Sequence, residues 1–205
     1  MRQPGKRGEG VAGIVLAAGA SARMGSPKAL LDAGSMTFVA RLATTLARGG
    51  CAPVVVVAAS ATGETAAEVA RGPARLAVNP GGAGGQIGSL RAGLRHVEGL
   101  DDPPAAVLFT PVDNPAVAPA TVRSLIEAWR RSRAAIVVPS HEGKRGHPVL
   151  ADLAIAAEFH ADGLAEGARE VVRRDPGRVI EVPVHDPGTV DDLDTPARYR
   201  DRFPA

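Results

Sequence analysis

The chain has 205 residues and a formal net charge of +2 at pH 7, with 45% hydrophobic and 22% charged residues. This composition is that of an ordinary globular protein and argues against a disordered chain. Because the basic residues are spread along the sequence, nucleic-acid binding is not favoured, and no apolar run approaches the roughly 20 residues of a membrane span. The length predicts one domain over residues 11–205, after a flexible lead-in over residues 1–10.

The single cysteine, Cys51, cannot form an internal disulfide. One cysteine with scattered histidines also does not make a zinc-binding set. Chains that lack disulfides are typical of reducing compartments. The sequence therefore predicts a cytoplasmic location and no structural zinc.

Short apolar runs alternate with helical periodicity from Val11 to the C-terminus. This alternation predicts an α/β fold in which helices cover a mostly parallel sheet. Gly, Pro or polar residues bound each predicted strand. The predicted strands are Gly13–Ala17, Val54–Ala58, Arg75–Val78, Ala105–Phe109, Ala135–Val138 and Val179–Val184.

Apolar residues at helical spacing predict three helices between these strands. One begins at Pro119, a residue type favoured at the first helical position, and carries Val122, Leu125 and Trp129 on one face. The other two each begin beside a glycine-containing loop. They cover residues 38–46 and 87–97.

The first strand leads into a loop of small residues that contains Arg23 and Lys28. Ligands of open α/β sheets bind where such strands end. Gly19 allows close backbone approach, and the two cations can neutralise a triphosphate. The spacing matches neither a Walker A loop nor the GxGxxG of dinucleotide binders, which disfavours an NAD-dependent oxidoreductase. The alternative is a tight turn whose charges face solvent.

The segment Leu16-Ala-Ala-Gly-Ala-Ser-Ala-Arg-Met-Gly-Ser-Pro-Lys28 resembles the LAAGxSxRMGxxK signature of molybdenum cofactor guanylyl- and cytidylyltransferases. The resemblance implies a Rossmann-like three-layer α/β/α sandwich of the nucleotide-diphospho-sugar transferase type. It also implies catalytic roles for Arg23 and Lys28. The nucleotide-binding residues that it implies are Leu16, Ala17, Ala18, Gly19, Gly25, Asn79, Gly85 and Ser89.

Two acidic segments resemble the family's metal-binding elements. Asp113-Asn-Pro115 follows a buried strand and resembles a D-x-P motif that binds Mg²⁺, although Asn114 departs from the Met or Gln of that motif. Asp191-Asp-Leu-Asp-Thr-Pro196 resembles the family's final D-x-D-T-P element. Since Mg²⁺ commonly takes one or two carboxylates, Asp113 and Asp192 are predicted to share one ion. Asp194 is expected to cap the helix that follows.

A third element, Gly146-His-Pro148, resembles the G-H-P of the cytidylyltransferase branch. The resemblance implies that Lys144, Arg145, Gly146 and His147 bind the acceptor. A solvated turn and a structural histidine are the alternatives.

These motifs together predict a Mg²⁺-dependent nucleotidyltransferase in which an acceptor phosphate attacks the α-phosphorus of an NTP and pyrophosphate leaves. The resemblance favours CTP and a molybdopterin-type acceptor, with a possible transient contact with a molybdenum hydroxylase. Three alternatives remain open. They are a guanylyltransferase, a sugar- or polyol-phosphate nucleotidyltransferase, and a non-catalytic nucleotide-binding or cofactor-handover module.

Overall fold

A computed structural model describes residues 10–19 and 27–203. Except for Gly10, the predicted lead-in lies outside the described residues. The strands are β1 (Val11–Leu16), β2 (Val54–Ala58), β3 (Arg75–Val78), β4 (Ala106–Pro111), β5 (Ile136–His141), β6 (Lys144–Arg145), β7 (Val149–Asp152) and β8 (Val179–Pro183). The helices are α1 (Phe38–Gly49), α2 (Glu64–Ala70), α3 (Gly85–Glu98), α4 (Pro119–Ser132), α5 (Ala156–His160), α6 (Ala168–Arg173) and α7 (Pro196–Arg202).

The strands form an eight-stranded sheet in the order β3-β2-β1-β4-β7-β5-β6, and β8 pairs with β5. Strands β1 to β4 are mutually parallel, and β5 is parallel to β8. Strand β7 runs antiparallel between β4 and β5, and β6 is antiparallel to β5. The sheet is therefore mostly parallel, as predicted, and its parallel strands end at one edge.

Helices cover this sheet on both faces. Successive residues of β1 point to opposite sides, so that Val15 joins a core with α1 and α4 while Ile14 and Leu16 join a second core with α3, α5 and α6. Because both faces are buried, the central strands are apolar throughout instead of alternating. The predicted three-layer α/β/α arrangement is confirmed.

The six predicted strands are all present. Strands β2 and β3 have the predicted bounds, and the other four differ at one or both ends. Strand β1 starts at Val11, two positions before the prediction, and β4 and β5 run on to Pro111 and His141. Strands β6 and β7 were not predicted. The apolar part of β7 is only three residues long, and it becomes a strand by pairing with β4 and β5 at once.

The three predicted helices are α1, α3 and α4. Helix α4 begins at Pro119 and buries Val122, Leu125 and Trp129 as predicted. Helix α1 continues three residues beyond the prediction and ends where Gly50 adopts a φ of 105°. Among helices in the described part of the chain, none has the length and apolar character to span a membrane.

Candidate active site

Two neighbouring cavities open at the edge where the parallel strands end. The first has a volume of about 480 Å³, and Lys28, Asp113 and Asp194 line it together with the start of α3. The second, of about 440 Å³, lies between the end of β5, the β6–β7 segment and α6. Leu16 and Gln86 line both cavities. A ligand in one cavity can therefore meet a ligand in the other beside these two residues.

Lys28 lies between two carboxylates in the first cavity. Its Nζ donates a hydrogen bond to Asp194 Oδ1 and lies 3.5 Å from Asp113 Oδ2. The Lys28 side chain is only 13% exposed, so water screens these ion pairs less than it would on the surface. Lys28, Asp113 and Asp194, which are far apart in the sequence, thus form one cluster of charged side chains.

Asp113 sits in an environment that disfavours its charged form. Burial raises the pKa of its carboxyl, the Lys28 ammonium opposes the rise, and the charges of Asp192 and Asp194 reinforce it. Several carboxylates therefore converge on one ammonium. An additional cation near Asp113 would relieve their repulsion.

A glycine-rich loop forms another wall of the first cavity. Asn79 is buried at the end of β3, and its Nδ2 donates to Ala83 O at 3.0 Å and to Ser89 Oγ at 3.2 Å. A Cβ at Gly88 would lie 1.9 Å from Ala83 O, so this approach requires glycine. A Cβ at Gly82 would lie 2.4 Å from Ala18 O, which packs the loop against the end of β1.

Asn114 ties the Asp113 turn to the C-terminal acidic segment. It is fully buried, and its Nδ2 donates to Asp192 Oδ1 at 2.7 Å and to Asp191 O at 3.3 Å. In the backbone, Leu193 N donates to Asp113 O. The departure from the family motif at this position therefore has a structural role, since the amide positions the acidic segment.

The expectation that Asp194 caps the last helix is wrong. The cap of α7 is Thr195, whose side chain accepts a hydrogen bond from Arg198 N. Asp194 instead contacts Lys28, because the chain turns its carboxylate towards the first cavity. The sequence pattern did not distinguish adjacent capping residue types.

The second cavity has an apolar floor and a strongly basic rim. Lys144, Arg145, Arg169 and Arg173 line it, whereas Asp192 is the one carboxylate among its described lining residues. Arg169 and Arg173 were not predicted as site residues, since α6 has only six residues and carries no family motif. The i, i+4 spacing of two arginines was the one available signal.

His147 lies at the base of the second cavity, in the turn between β6 and β7. Its backbone N donates to Thr189 O at 2.7 Å, and a Cβ at Gly146 would lie 2.1 Å from the same oxygen. Its Nδ1 is buried and has no hydrogen-bond partner among the described residues. Burial lowers the pKa of His147, and the nearby Arg169 charge adds to this, whereas Asp192 opposes it.

Most of the sequence matches a known family. The model described as "MobA-like NTP transferase domain" matches residues 13–179. The chain belongs to the MobA-like NTP transferase family. It is therefore an enzyme of the nucleotidyltransferase class.

Three relatives illustrate the range of this fold. A nicotine blue oxidoreductase from Paenarthrobacter nicotinovorans is 32% identical over 195 residues, which are 90% of this chain and 92% of that protein. The structure of Rv0371c from Mycobacterium tuberculosis H37Rv in complex with manganese is 25% identical, with a TM-score of 0.75 over 95% of this chain and 98% of that chain. Molybdopterin-guanine dinucleotide biosynthesis protein A from Archaeoglobus fulgidus, at 18% identity, shares the fold with a TM-score of 0.69 over 94% of this chain and 96% of that chain.

Most residues predicted from the MobA-like signature surround the two cavities. The first cavity is lined by the predicted residues Leu16, Gly19, Lys28, Gly85, Ser89 and Asp113. The second is lined by Lys144, Arg145, Gly146, His147 and Asp192, and again by Leu16. Ala17, Ala18 and Asn79 are buried behind the first cavity, and Arg23 and Gly25 lie outside the described residues.

The acidic residues of this MobA-like chain fit a divalent cation that the substrate helps to hold. No cluster of three or more His, Cys, Asp or Glu in the described part of the chain can hold an ion by itself. Mg²⁺ commonly binds one or two carboxylates and completes its coordination with phosphates and water. The Lys28 ammonium already occupies a cation position between Asp113 and Asp194, which shows that positive charge is favoured there.

Proposed function

We propose that this chain is a Mg²⁺-dependent cytidylyltransferase that transfers CMP from CTP to the phosphate of a molybdopterin-type acceptor and releases pyrophosphate. The observation that carries this proposal is the position of Lys28, which lies between Asp113 and Asp194 in a cavity that Gly19 and Gly85 also line. A compact ammonium inside this cavity is suited to binding the charged oxygens of a triphosphate. A divalent ion bound beside Asp113 would neutralise phosphate charge and fix the phosphate geometry.

The first cavity is the proposed nucleotide site. Glycine-rich backbone from residues 81 to 88 would allow phosphates to approach closely. Helix α3 begins there, and Gly85 and Gln86 of its first turn line the cavity, so a phosphate would lie near the N-terminus of this helix. Lys28 and, by resemblance, Arg23 would stabilise the charge that develops on leaving pyrophosphate. Asp192 joins Asp113 as the proposed second metal ligand, because its charge acts on Asp113 and its Oδ1 is fixed by Asn114.

The second cavity is the proposed acceptor site. Lys144, Arg145, Gly146 and His147 line it, and it meets the first cavity at Leu16 and Gln86. This adjacency supports direct transfer between two bound substrates, in which catalysis rests on positioning and charge neutralisation. The acceptor phosphate is already ionised at neutral pH, so no covalent intermediate and no dedicated base are required.

CTP is proposed because residues 24–28 and Gly146-His147-Pro148 resemble the cytidylyltransferase branch. GTP is an alternative donor, because a molybdopterin-guanine dinucleotide biosynthesis protein has the same fold. A sugar or polyol phosphate is an alternative acceptor that would react by the same chemistry. A non-catalytic handover module would not need the Lys28–Asp113 centre. A cytoplasmic location and a transient contact with a molybdenum hydroxylase are part of the proposal.

An oxidoreductase is the second candidate, and one observation favours it. The relative that is 32% identical over 195 residues is a nicotine blue oxidoreductase. In that case the nucleotide cavity would hold a dinucleotide and the second cavity an electron-accepting ring compound. Oxidation of NADH or NADPH in the presence of nicotine blue, followed at 340 nm, tests this candidate directly.

The test of the proposed function is pyrophosphate release with Mg²⁺, molybdopterin and each of CTP, GTP, ATP and UTP in turn. We expect release that requires both molybdopterin and CTP. Acceptor-dependent release with GTP alone would show that the nucleotide donor is GTP and not CTP. If no NTP gives pyrophosphate release with folded protein and intact molybdopterin, the proposal is wrong. The alternatives are then another phosphorylated acceptor, the non-catalytic handover module and the oxidoreductase.

A further inference from the structure

The basic rim of the second cavity extends beyond the residues that one phosphate needs. Arg169 and Arg173 are four positions apart on α6, which places them on the same face of that helix. Both line the second cavity, and neither lines the first, where the attacking phosphate must meet the nucleotide. The two arginines therefore belong to the acceptor side of the site and not to the nucleotide cavity.

The charge on this side of the cavity is incompletely balanced. Arg169 has no hydrogen-bond or ion-pair partner among the described residues, whereas Arg173 lies 3.3 Å from Glu166 in a pair whose side chains are more than 60% exposed. Such an exposed pair contributes little and is readily exchanged for a better partner. Arg145, by contrast, is held by Glu181 through Nε at 2.8 Å.

The apolar floor limits what kind of molecule this charge can bind. Leu90, Phe109, Val138, Val149 and Val172 line the cavity beneath the arginines. A volume of about 440 Å³ is in the range of small-molecule sites, which combine apolar walls with a few placed polar groups. A fully hydrated sugar phosphate would leave these walls poorly matched.

We propose that Arg169 and Arg173 bind a second anionic group of the acceptor, separate from its attacking phosphate, while the ring body of the acceptor packs on the apolar floor. In a molybdopterin-type acceptor this second group is the dithiolene. This inference rests on the proposed function for the position of the attacking phosphate. It assigns α6 a role in acceptor specificity. Guanidinium groups suit this role, because they remain charged and bind carboxylate, phosphate or sulfonate oxygens through paired donors.

The test uses a matched pair of fluorescent compounds, so that it does not require turnover. 1-Anilinonaphthalene-8-sulfonate has apolar rings with one sulfonate, and N-phenyl-1-naphthylamine has the same rings without it. Both are titrated in the presence of saturating CTP and Mg²⁺, which fill the first cavity. The variants are Arg169→Gln and Arg173→Gln, and the control is Arg131→Gln, a 73% exposed arginine on α4.

We expect each α6 variant to weaken binding of the sulfonate compound about tenfold, as for the loss of one charge-assisted hydrogen bond. Binding of the uncharged compound should stay unchanged in every variant, and Arg131→Gln should bind both compounds like the wild type. An unchanged sulfonate affinity in both α6 variants, or an equal loss for both compounds, would overturn the inference.

A second measurement separates this inference from the proposed function. If pyrophosphate release occurs with molybdopterin, the KM for acceptor should rise in Arg169→Gln while the KM for CTP stays the same. An acceptor KM in Arg169→Gln equal to that of the wild type would overturn the anion site and leave the proposed function in place. Charge-selective binding of the sulfonate compound without pyrophosphate release under any condition would overturn the proposed function and leave the anion site in place.

Discussion

At the scale of single residues, the Lys28 ammonium links two carboxylates from distant parts of the chain. Its Nζ contacts Asp113 after β4 and Asp194 before α7. The ammonium is small, whereas a guanidinium would need more space between the two carboxylates. The activity of the site should therefore depend on both the charge and the size of this side chain.

Lys28→Ala should reduce the rate of pyrophosphate release about 10²- to 10³-fold, because removal of one preorganised group that stabilises the transition state typically lowers kcat by this factor. Lys28→Arg should recover only part of this activity. Circular dichroism should show both variants folded. Turnover like that of the wild type in folded Lys28→Ala would remove the residue from the catalytic centre.

Cys51 offers a residue-scale test of the core that supports the site. The thiol is 4% exposed, and burial raises its pKa to about 12. Since the thiolate is the reactive form, native protein should react with 5,5′-dithiobis(2-nitrobenzoate) far more slowly than protein in 6 M guanidinium chloride. Equal rates in the two conditions would show that the packing around β1 and α1 is open.

Single residues were predictable where a family motif fixes their spacing. Lys28 and Asp113 were found in this way, and both line the first cavity. The function of Asn114 depends on a contact with Asp192, 78 positions later, which sequence spacing does not reveal. Arg169 and Arg173 look like ordinary surface arginines until the fold places α6 against the cavity.

At the scale of elements, the glycine-rich loop and α3 form one unit around Asn79. The Asn79 side chain donates to Ala83 O and Ser89 Oγ, and the close packing of Ala83 on α3 requires that Gly88 has no side chain. The glycine content was visible in the sequence, but the close contact that requires it was not. The periodicity of apolar residues predicted which segments are helices and which are strands. It did not predict β6 and β7, because these short strands form only by pairing with their neighbours in the sheet.

Gly88→Ala should weaken CTP binding about tenfold or more, because its Cβ would meet the Ala83 carbonyl oxygen at 1.9 Å and force the loop to move. Isothermal titration calorimetry measures the change. Gly72→Ala is the matched control, since the nearest atom to its Cβ would be 3.8 Å away. Equal CTP affinity in the two variants would contradict the proposed role of the loop.

A second element-scale contact fixes the wall that carries the α6 arginines. Glu158 of α5 accepts hydrogen bonds from Arg178 Nη1 at 2.6 Å and Nη2 at 2.8 Å, and Arg178 also donates to Val171 O in α6. The hydrogen bonds from Arg178 hold the pKa of Glu158 below its ordinary value of 4.5. A carboxyl with a lowered folded-state pKa contributes stability above the unfolded pKa.

Glu158→Gln should therefore lower the free energy of unfolding by about 1 kcal/mol at pH 7, a value reduced by partial solvent exposure. The difference from the wild type should shrink as pH falls from about 4.5 through the lower folded-state pKa. Urea denaturation at several pH values measures it, with the exposed Glu127→Gln as control. A difference that persists unchanged at low pH would assign the loss to packing.

At the scale of the whole molecule, the sheet brings the two cavities together. Strands β1 and β4 place Leu16 and Asp113 at one edge, and the antiparallel β7 returns the chain so that Gly146 and His147 lie beside them. The alternation of apolar runs predicted the fold, and the motifs predicted six of the residues that line the first cavity. The second cavity depends on α6 and the β6–β7 turn, whose positions are set by packing over the sheet.

We propose that residues of these two cavities position an acceptor phosphate for attack on the α-phosphorus of a nucleotide. The most direct measurement compares CTP labelled with ³²P at the α or the γ position, each incubated with the protein, Mg²⁺ and molybdopterin. The α label should appear in a molybdopterin-linked product, and the γ label should appear in pyrophosphate in equal amount, with no label on the protein. An α label that stays in CTP, ends as free CMP or remains on the protein would contradict the claim.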